Sequence, residues 1–243
     1  SNDGQLRNAV FVHDFESPLL HKLTWPKVSW APVLFDLDND TDLDLFFANG
    51  HLNSVSGDNR QSNLLFENDG GGQFTDISER SGVLSTGNRI HRSAIFADYD
   101  DDGRVDVFVT VNGQQVEDGQ GNNIFDPNQG KGILFHNETE SDNNWIKVRL
   151  EGTKSNRDGF GATVSIKAGS IKHKQALVSG QGYFSTHAKE IYFGLGSVKS
   201  IDKIKVSWPS GMDQTFENIP ANQTVYILEG ETLHQNTSHL IIK

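Results

Sequence analysis

The sequence has no cysteine among its 243 residues and only one methionine. The absence of thiols excludes disulfide bonds, thiolate catalysis and zinc–sulfur sites. No apolar run approaches the roughly 18 residues that suggest a membrane helix, so we expect no membrane insertion. With 24 glycines and 35% hydrophobic residues, the composition favours turn-rich β structure over helical bundles.

Charge is distributed unevenly along the chain, whose formal net charge is −11. The part up to Asp142 carries 24 acidic and 9 basic residues, whereas the remainder carries 8 and 12. Such a break indicates two domains, which we predict at residues 1–142 and 143–231, followed by a tail at 232–243. An acidic surface repels phosphate backbones, so the first domain is not expected to bind nucleic acid.

An internal repeat is the strongest pattern in the sequence. The segments VLFDLDNDTDLDLFFANG (33–50) and IFADYDDDGRVDVFVTVNG (95–113) lie 62 residues apart, and each places an aspartate-rich loop between two apolar runs. About four short strands per unit predict β-propeller blades. Because two units cannot close a ring, we expect a partial propeller whose exposed sheet edges permit self-association.

The sequence beyond Asn144 follows a different pattern of polar and apolar residues. Segments such as WIKVRLEG, TVSIKAG and QTVYILEG alternate polar and apolar residues between glycine turns, which predicts a compact antiparallel domain. No convincing amphipathic helix is visible. The predicted fold class is therefore all-β, with a partial β-propeller followed by a small antiparallel β-sandwich or barrel.

The two aspartate-rich loops predict two calcium sites. Calcium takes six to eight oxygen ligands, and aspartates at alternating positions can converge on one ion when the backbone curls. The predicted ligands occupy positions 1, 3, 5, 7 and 9 of each nine-residue loop, and position 7 contributes its backbone carbonyl. In the first loop (residues 36–44) they are Asp36, Asp38, Asp40, Asp42 and Asp44. In the second loop (residues 98–106) they are Asp98, Asp100, Asp102, Arg104 and Asp106.

The loops differ from an EF-hand and from each other. An EF-hand requires a glutamate at position 12, where these loops have Phe47 and Val109. Gly103 occupies the sharp-turn position of the second loop, and Thr41 replaces it in the first. Because a left-handed backbone is strained at threonine, we expect the first site to be weaker or altered in geometry. Magnesium prefers fewer protein ligands and is the less suitable ion.

These residues resemble a known combination of domains. The aspartate loops, with FANGH (47–51) and LLFEND (64–69), resemble FG-GAP/VCBS repeats as found in the cartilage acidic protein family. The segments GTKSNRDGFGA (152–162), GQGYFS (180–185), YFGLG (192–196) and VSWPSG (206–211) resemble the UnbV/ASPIC domain. The resemblance implies calcium-binding propeller blades in a secreted or surface-exposed protein that mediates adhesion or partner recognition. It implies no established enzymatic activity.

The missing cysteines favour a bacterial member of this family, which we would expect to be outer membrane-associated or periplasmic. We also predict that the chain is a C-terminal fragment of such a protein. The resemblance leaves the partner open between a protein and a glycan. The sequence contains neither the H-E-x-x-H motif of metalloproteases nor a G-x-S-x-G nucleophile elbow, so we predict that the chain is not an enzyme. Two alternatives remain: a polysaccharide-active enzyme or its accessory module, and a structural spacer within a larger surface protein.

Overall fold

The first repeat folds into a four-stranded antiparallel sheet. The structure is a computed structural model that describes residues 18–52, 60–113, 115–117, 120, 123–125, 130–231 and 240–241. A short helix precedes this sheet, whose strands follow one another in chain order as a meander. The elements are α1 (Pro18–Thr24), β1 (Ser29–Phe35), β2 (Asp44–Asn49), β3 (Leu64–Asn68) and β4 (Phe74–Asp76).

The second repeat forms a three-stranded antiparallel sheet in the order β5-β6-β9, and a separate hairpin of β7 and β8 extends from it. A 3₁₀ helix at Val83–Thr86 connects the two repeats. The strands are β5 (Ile90–Ala97), β6 (Asp106–Asn112), β7 (Gln115–Glu117), β8 (Asn123–Phe125) and β9 (Ile133–Phe135).

The two repeat sheets share one hydrophobic core. Alternate residues of the strands point into it, among them Val33, Phe35, Phe46, Val107 and Val109, all of which are buried. This period-two burial is what the apolar runs on either side of each aspartate loop predict. Two short antiparallel sheets packed through such a core have the arrangement of propeller blades.

The C-terminal part is a sandwich of two four-stranded sheets. One has the strand order β13-β10-β16-β17 and the other β12-β11-β14-β15. Its core is a second cluster, which includes Ile146, Val164, Phe193 and Val225. The strands are β10 (Asn144–Glu151), β11 (Thr163–Ala168), β12 (Ile171–Ala176), β13 (Glu190–Gly196), β14 (Ser200–Ser207), β15 (Asp213–Pro220), β16 (Gln223–Leu228) and β17 (Leu240–Ile241).

The prediction of an all-β fold is confirmed, with two corrections. The C-terminal domain is not purely antiparallel, because β16 runs parallel to β10 and β17 runs parallel to β16. Residue alternation is the same in parallel and antiparallel strands, so the pattern could not distinguish them. The chain also contains the short helix α1, where the sequence indicated none.

The predicted domain boundaries stay predictions, although the two hydrophobic clusters lie on either side of residue 143. Residues 1–17 of the first predicted domain lie outside the described residues, as do residues 232–239 and 242–243 of the predicted tail. Within the described part of the chain, no helix is long and apolar enough to cross a membrane.

Candidate metal centres

Both aspartate loops close the same kind of hairpin. In the first repeat Phe35 pairs with Asp44 across β1 and β2, and in the second Ala97 pairs with Asp106 across β5 and β6. The chain between each pair reverses direction within eight residues. Ligand atoms of Asp36, Asp38 and Asp40 lie within 4.8 Å of one another, and so do those of Asp98, Asp100 and Asp102. Positions 1, 3 and 5 therefore converge in both loops.

The first aspartate of each loop organises the backbone in the same way. Asp36 Oδ1 accepts a hydrogen bond from the backbone N–H of Asp40 at 3.1 Å, and its Oδ2 accepts one from Thr41 at 3.1 Å. Asp98 accepts the matching pair from Asp102 and Gly103, each at 3.0 Å. The backbone of each loop therefore curls around its first carboxylate and makes the same pair of hydrogen bonds to it.

The ninth-position carboxylates anchor each loop to the neighbouring strand. Asp44 accepts backbone hydrogen bonds from Leu37 at 2.7 Å and from Asn68 at 2.8 Å. Asp106 accepts equivalent bonds from Tyr99 and Asn137. Asp44 does not belong to the close group of the first loop, whereas Asp106 forms a group with Asp100 and His136.

The seventh positions share one backbone hydrogen bond, although their side chains differ. The Arg104 side chain donates from Nε to the carbonyl of Asn137 at 2.7 Å and pairs with Asp102. The Arg104 N–H donates to Asp102 Oδ1 at 2.8 Å, and the Asp42 N–H donates to Asp40 Oδ1 at 3.0 Å. The same backbone path therefore carries either side chain at this position.

The sharp-turn position is left-handed in both loops. Thr41 has φ 92° and Gly103 has φ 87°. The threonine therefore adopts a conformation that side chains with a Cβ rarely occupy. Gly103 has a second role that the sequence did not reveal, because a Cβ at this position would overlap the Trp145 ring of β10.

The carboxylates of the first loop lie close together, and burial affects their ionisation. Burial, together with the neighbouring charges of Asp40, Asp38 and Asp44, raises the pKa of Asp36 to about 8, even though the Thr41 N–H opposes the shift. Burial likewise raises the pKa of Asp44 to about 7. Crowded carboxylates of this kind are what a bound cation stabilises. The oxygen atoms of the converging aspartates are ligands of the kind that calcium prefers.

Sequence reasoning missed residues that contact the second loop, among them Lys147, Tyr192 and His136. The Lys147 ammonium lies 2.7 Å from Asp98 Oδ2, and the Tyr192 hydroxyl accepts the Asp98 N–H at 3.1 Å. His136 Nδ1 lies 3.0 Å from Asp106 Oδ1. The similarity between LLFEN (64–68) and ILFHN (133–137) could have identified His136, because His136 occupies the position that Glu67 has in the first repeat. Lys147 and Tyr192 come from a different sheet, and no local spacing points to them.

Comparisons with known proteins define the class to which this architecture belongs. The model of the FG-GAP-like repeat matches residues 36–109, which contain both loops. The model of the ASPIC and UnbV domain matches residues 152–234, which contain most of the sandwich. The chain therefore combines an FG-GAP-like repeat with an ASPIC/UnbV domain, as its motifs indicated.

Its relatives include cartilage acidic protein 1. The chain is 25% identical to the protein of Homo sapiens over 223 residues, which is 90% of this chain and 30% of that protein. It is 26% identical to the protein of Mus musculus over 238 residues, covering 95% of this chain and 33% of the relative. The chain thus spans about a third of the length of each relative. Its bacterial origin and its place as a C-terminal fragment stay predictions.

Proposed function

We propose that this chain is a non-catalytic calcium-binding module of a secreted or cell-surface protein, with one Ca²⁺ in each aspartate loop. The observation that carries the proposal is the repeated arrangement of the loops, in which carboxylates at positions 1, 3 and 5 converge around one hydrogen-bonded backbone. A solvated acidic loop has no need to bury its first and ninth carboxylates, and Asp44, Asp98 and Asp106 are buried. The similarity to cartilage acidic protein 1 supports the secreted or surface setting.

Calcium would act here as a structural cross-link. Each loop joins two strands of a blade and touches the ASPIC/UnbV sheet, so an ion that binds the loop stiffens both connections. Binding to the folded state alone raises stability by mass action. The adhesion or recognition role then belongs to the surfaces that the stiffened blades and sandwich hold in place.

The direct experiment is a calcium titration of metal-free protein by isothermal titration calorimetry, with thermal unfolding measured in parallel. We expect binding of two ions and a rise in Tm with calcium concentration, and a smaller effect of magnesium. The matched control replaces Asp38 and Asp100, one convergent ligand in each loop, by alanine and should abolish both signals. The absence of any calcium-dependent change at millimolar concentration would contradict the proposal.

One exposed surface is a candidate for the partner, either a protein or a glycan. Phe184 is 92% exposed and has φ 49°, so a bulky apolar side chain is held in a left-handed turn and presented to solvent. Tyr183 lies against it, with ring centroids 4.7 Å apart, and also contacts Trp30 of β1 at 5.0 Å. Exposed aromatic clusters mark binding surfaces more often than isolated apolar residues do. Loss of partner binding in Phe184→Ala tests this assignment.

A further inference from the structure

A buried lysine lies directly beneath the second loop. The Lys147 side chain is 0% exposed, and its ammonium group contacts the carboxylates of Asp98, also fully buried, and Asp101. The Tyr192 ring lies 6.0 Å from the same ammonium group. Because Lys147 belongs to β10, the C-terminal sandwich supplies a positive charge to a loop of the second repeat.

The first loop rests on the neighbouring strand of the same sheet, where the described residues give it no lysine or arginine partner. Strand β13 pairs with β10, and its Gly194 lies so close to the first loop that an added Cβ would overlap Asp36 Oδ2. The N–H of Gly196 donates to the carbonyl of Asn39 at 2.9 Å. Among the residues that the structure describes, no lysine or arginine forms an ion pair with the carboxylates of residues 36–44, whereas several do so in the second loop.

The two loops carry equal negative charge, so a difference in their net charge comes from the lysine and arginine side chains that contact them. Each contains five aspartates. In the second loop Asp101 pairs with both Lys147 and Arg149, and Asp102 pairs with Arg104. A cation held in a water-excluded site offsets the repulsion among carboxylates that calcium would otherwise relieve. The same cation repels an incoming divalent ion.

We propose that Lys147 is a built-in cation of the second loop. It keeps residues 98–106 folded in the absence of calcium, and it lowers the calcium affinity of that loop so that the first loop fills first. This inference rests on the proposed calcium binding and deepens it, because it assigns the C-terminal sandwich, through β10, a role in setting how the repeat responds to calcium. It also reverses the ranking that Thr41 and Gly103 predict from the sequence.

The test measures calcium affinity by calorimetry in wild-type protein and in Lys147→Met, which removes the charge and retains an unbranched side chain of similar bulk. We expect the weaker of the two wild-type sites to tighten by about tenfold or more. We also expect a lower Tm in EDTA and a larger calcium-induced rise in Tm than in wild type. Lys167→Met is the matched control, since Lys167 lies on the same sandwich and is 55% exposed; it should change neither quantity.

Assignment of the tightened site to the second loop requires a background in which the first loop is disabled. Asp38→Ala with Asp40→Ala removes two convergent ligands of the first loop, and the remaining site should then respond fully to Lys147→Met. If Lys147→Met does not fold without calcium, Lys147→Gln replaces it, because glutamine keeps a neutral donor near Asp98. The same increase in affinity is expected.

The outcomes separate the two proposals. The lysine inference would be overturned if both calcium affinities in the two Lys147 variants stayed within twofold of the wild-type values. Calcium binding itself would then still stand. Failure of the wild-type protein and of both variants to bind calcium would contradict the proposed function itself. Tightening of the first site instead of the second would also overturn the inference.

Discussion

Thr41 illustrates how one residue can hold a strained conformation inside a candidate metal loop. Its φ of 92° is close to the 87° of Gly103, although threonine has a branched Cβ and glycine has none. The hydrogen bond from its N–H to Asp36 Oδ2 requires this backbone path. The loop therefore imposes the conformation, and the side chain tolerates it at an energetic cost.

We expect Thr41→Gly to raise the free energy of unfolding by about 1 kcal/mol, because relief of the left-handed strain exceeds the extra entropy of glycine in the unfolded chain. Urea denaturation in EDTA and in calcium measures the change. Gly103→Ala is the converse control and should destabilise the protein, since its Cβ meets the Trp145 ring. A Thr41→Gly variant less stable than wild type in both conditions would show that the threonine side chain contributes more than its strain removes.

At the scale of elements, Glu229 connects the end of β16 to the loop that follows β10. It is 2% exposed, and its Oε2 accepts backbone hydrogen bonds from Thr153, Lys154 and Ser155 at 2.7–2.8 Å. The hydroxyl groups of Ser155 and Ser210 donate to Oε1. A single carboxylate thus orders the GTKSNRD segment that carries part of the ASPIC/UnbV resemblance.

Glu229 should also make stability sensitive to acid. Burial raises its pKa, but the hydrogen bonds from Ser155, Ser210 and Lys154 outweigh burial and bring the pKa to about 2, below its usual 4.5. The folded state therefore favours the charged form. The contribution of the Glu229 carboxylate to the free energy of unfolding is fully present above its ordinary pKa. It is lost as the pH falls from about 4.5 towards 2.

We expect Glu229→Gln to lower the free energy of unfolding by about 3 kcal/mol at neutral pH, because three backbone donors lose a charged acceptor. The difference from wild type should shrink as the pH falls below 4.5. Thermal unfolding between pH 7 and pH 3 measures both effects. Glu231→Gln, at an exposed position two residues further on, serves as the control and should leave the profile unchanged. A constant difference across this range would contradict the assignment of the charge.

At the scale of the whole molecule, the repeat sheets and the sandwich meet along β10 and β13. The first loop lies against Gly194, the second loop against Trp145 and Lys147, and Asn39 donates to the Gly103 carbonyl between the loops at 3.2 Å. The turn that carries Tyr183 and Phe184 is joined to β5 by a hydrogen bond of 2.7 Å between the hydroxyl groups of Ser93 and Ser185. Both candidate sites therefore depend on contacts between the two parts of the chain.

We expect Phe184→Ala to weaken binding of the calcium-loaded protein to its partner without lowering Tm, because the exposed ring contributes little to folding. A glycan array probed with wild type, Phe184→Ala and the control Leu134→Ala checks the glycan alternative. Signals lost only in Phe184→Ala would support a glycan partner at this turn. Signals equal in all three proteins would contradict the surface, and an array without wild-type signal would favour the protein alternative.

Local spacing was sufficient to predict the all-β fold, the two repeats and the convergence of aspartates at positions 1, 3 and 5. Each of these depends on residues within one short segment, where backbone geometry alone determines which side chains share a face or a loop. The sequence also located the strained Thr41 correctly, because the repeat supplied Gly103 for comparison.

Only the tertiary structure decided the parallel pairing of β10 with β16, the placement of both loops on one sheet, and the charge that Lys147 brings to Asp98. These contacts join residues that are far apart in the chain, with Lys147 and Asp98 separated by 49 positions. Periodicity carries no information about which distant surface covers a loop. The proposed difference in calcium response between the two loops therefore depends on a contact between the repeat sheets and the sandwich, which the sequence could not reveal.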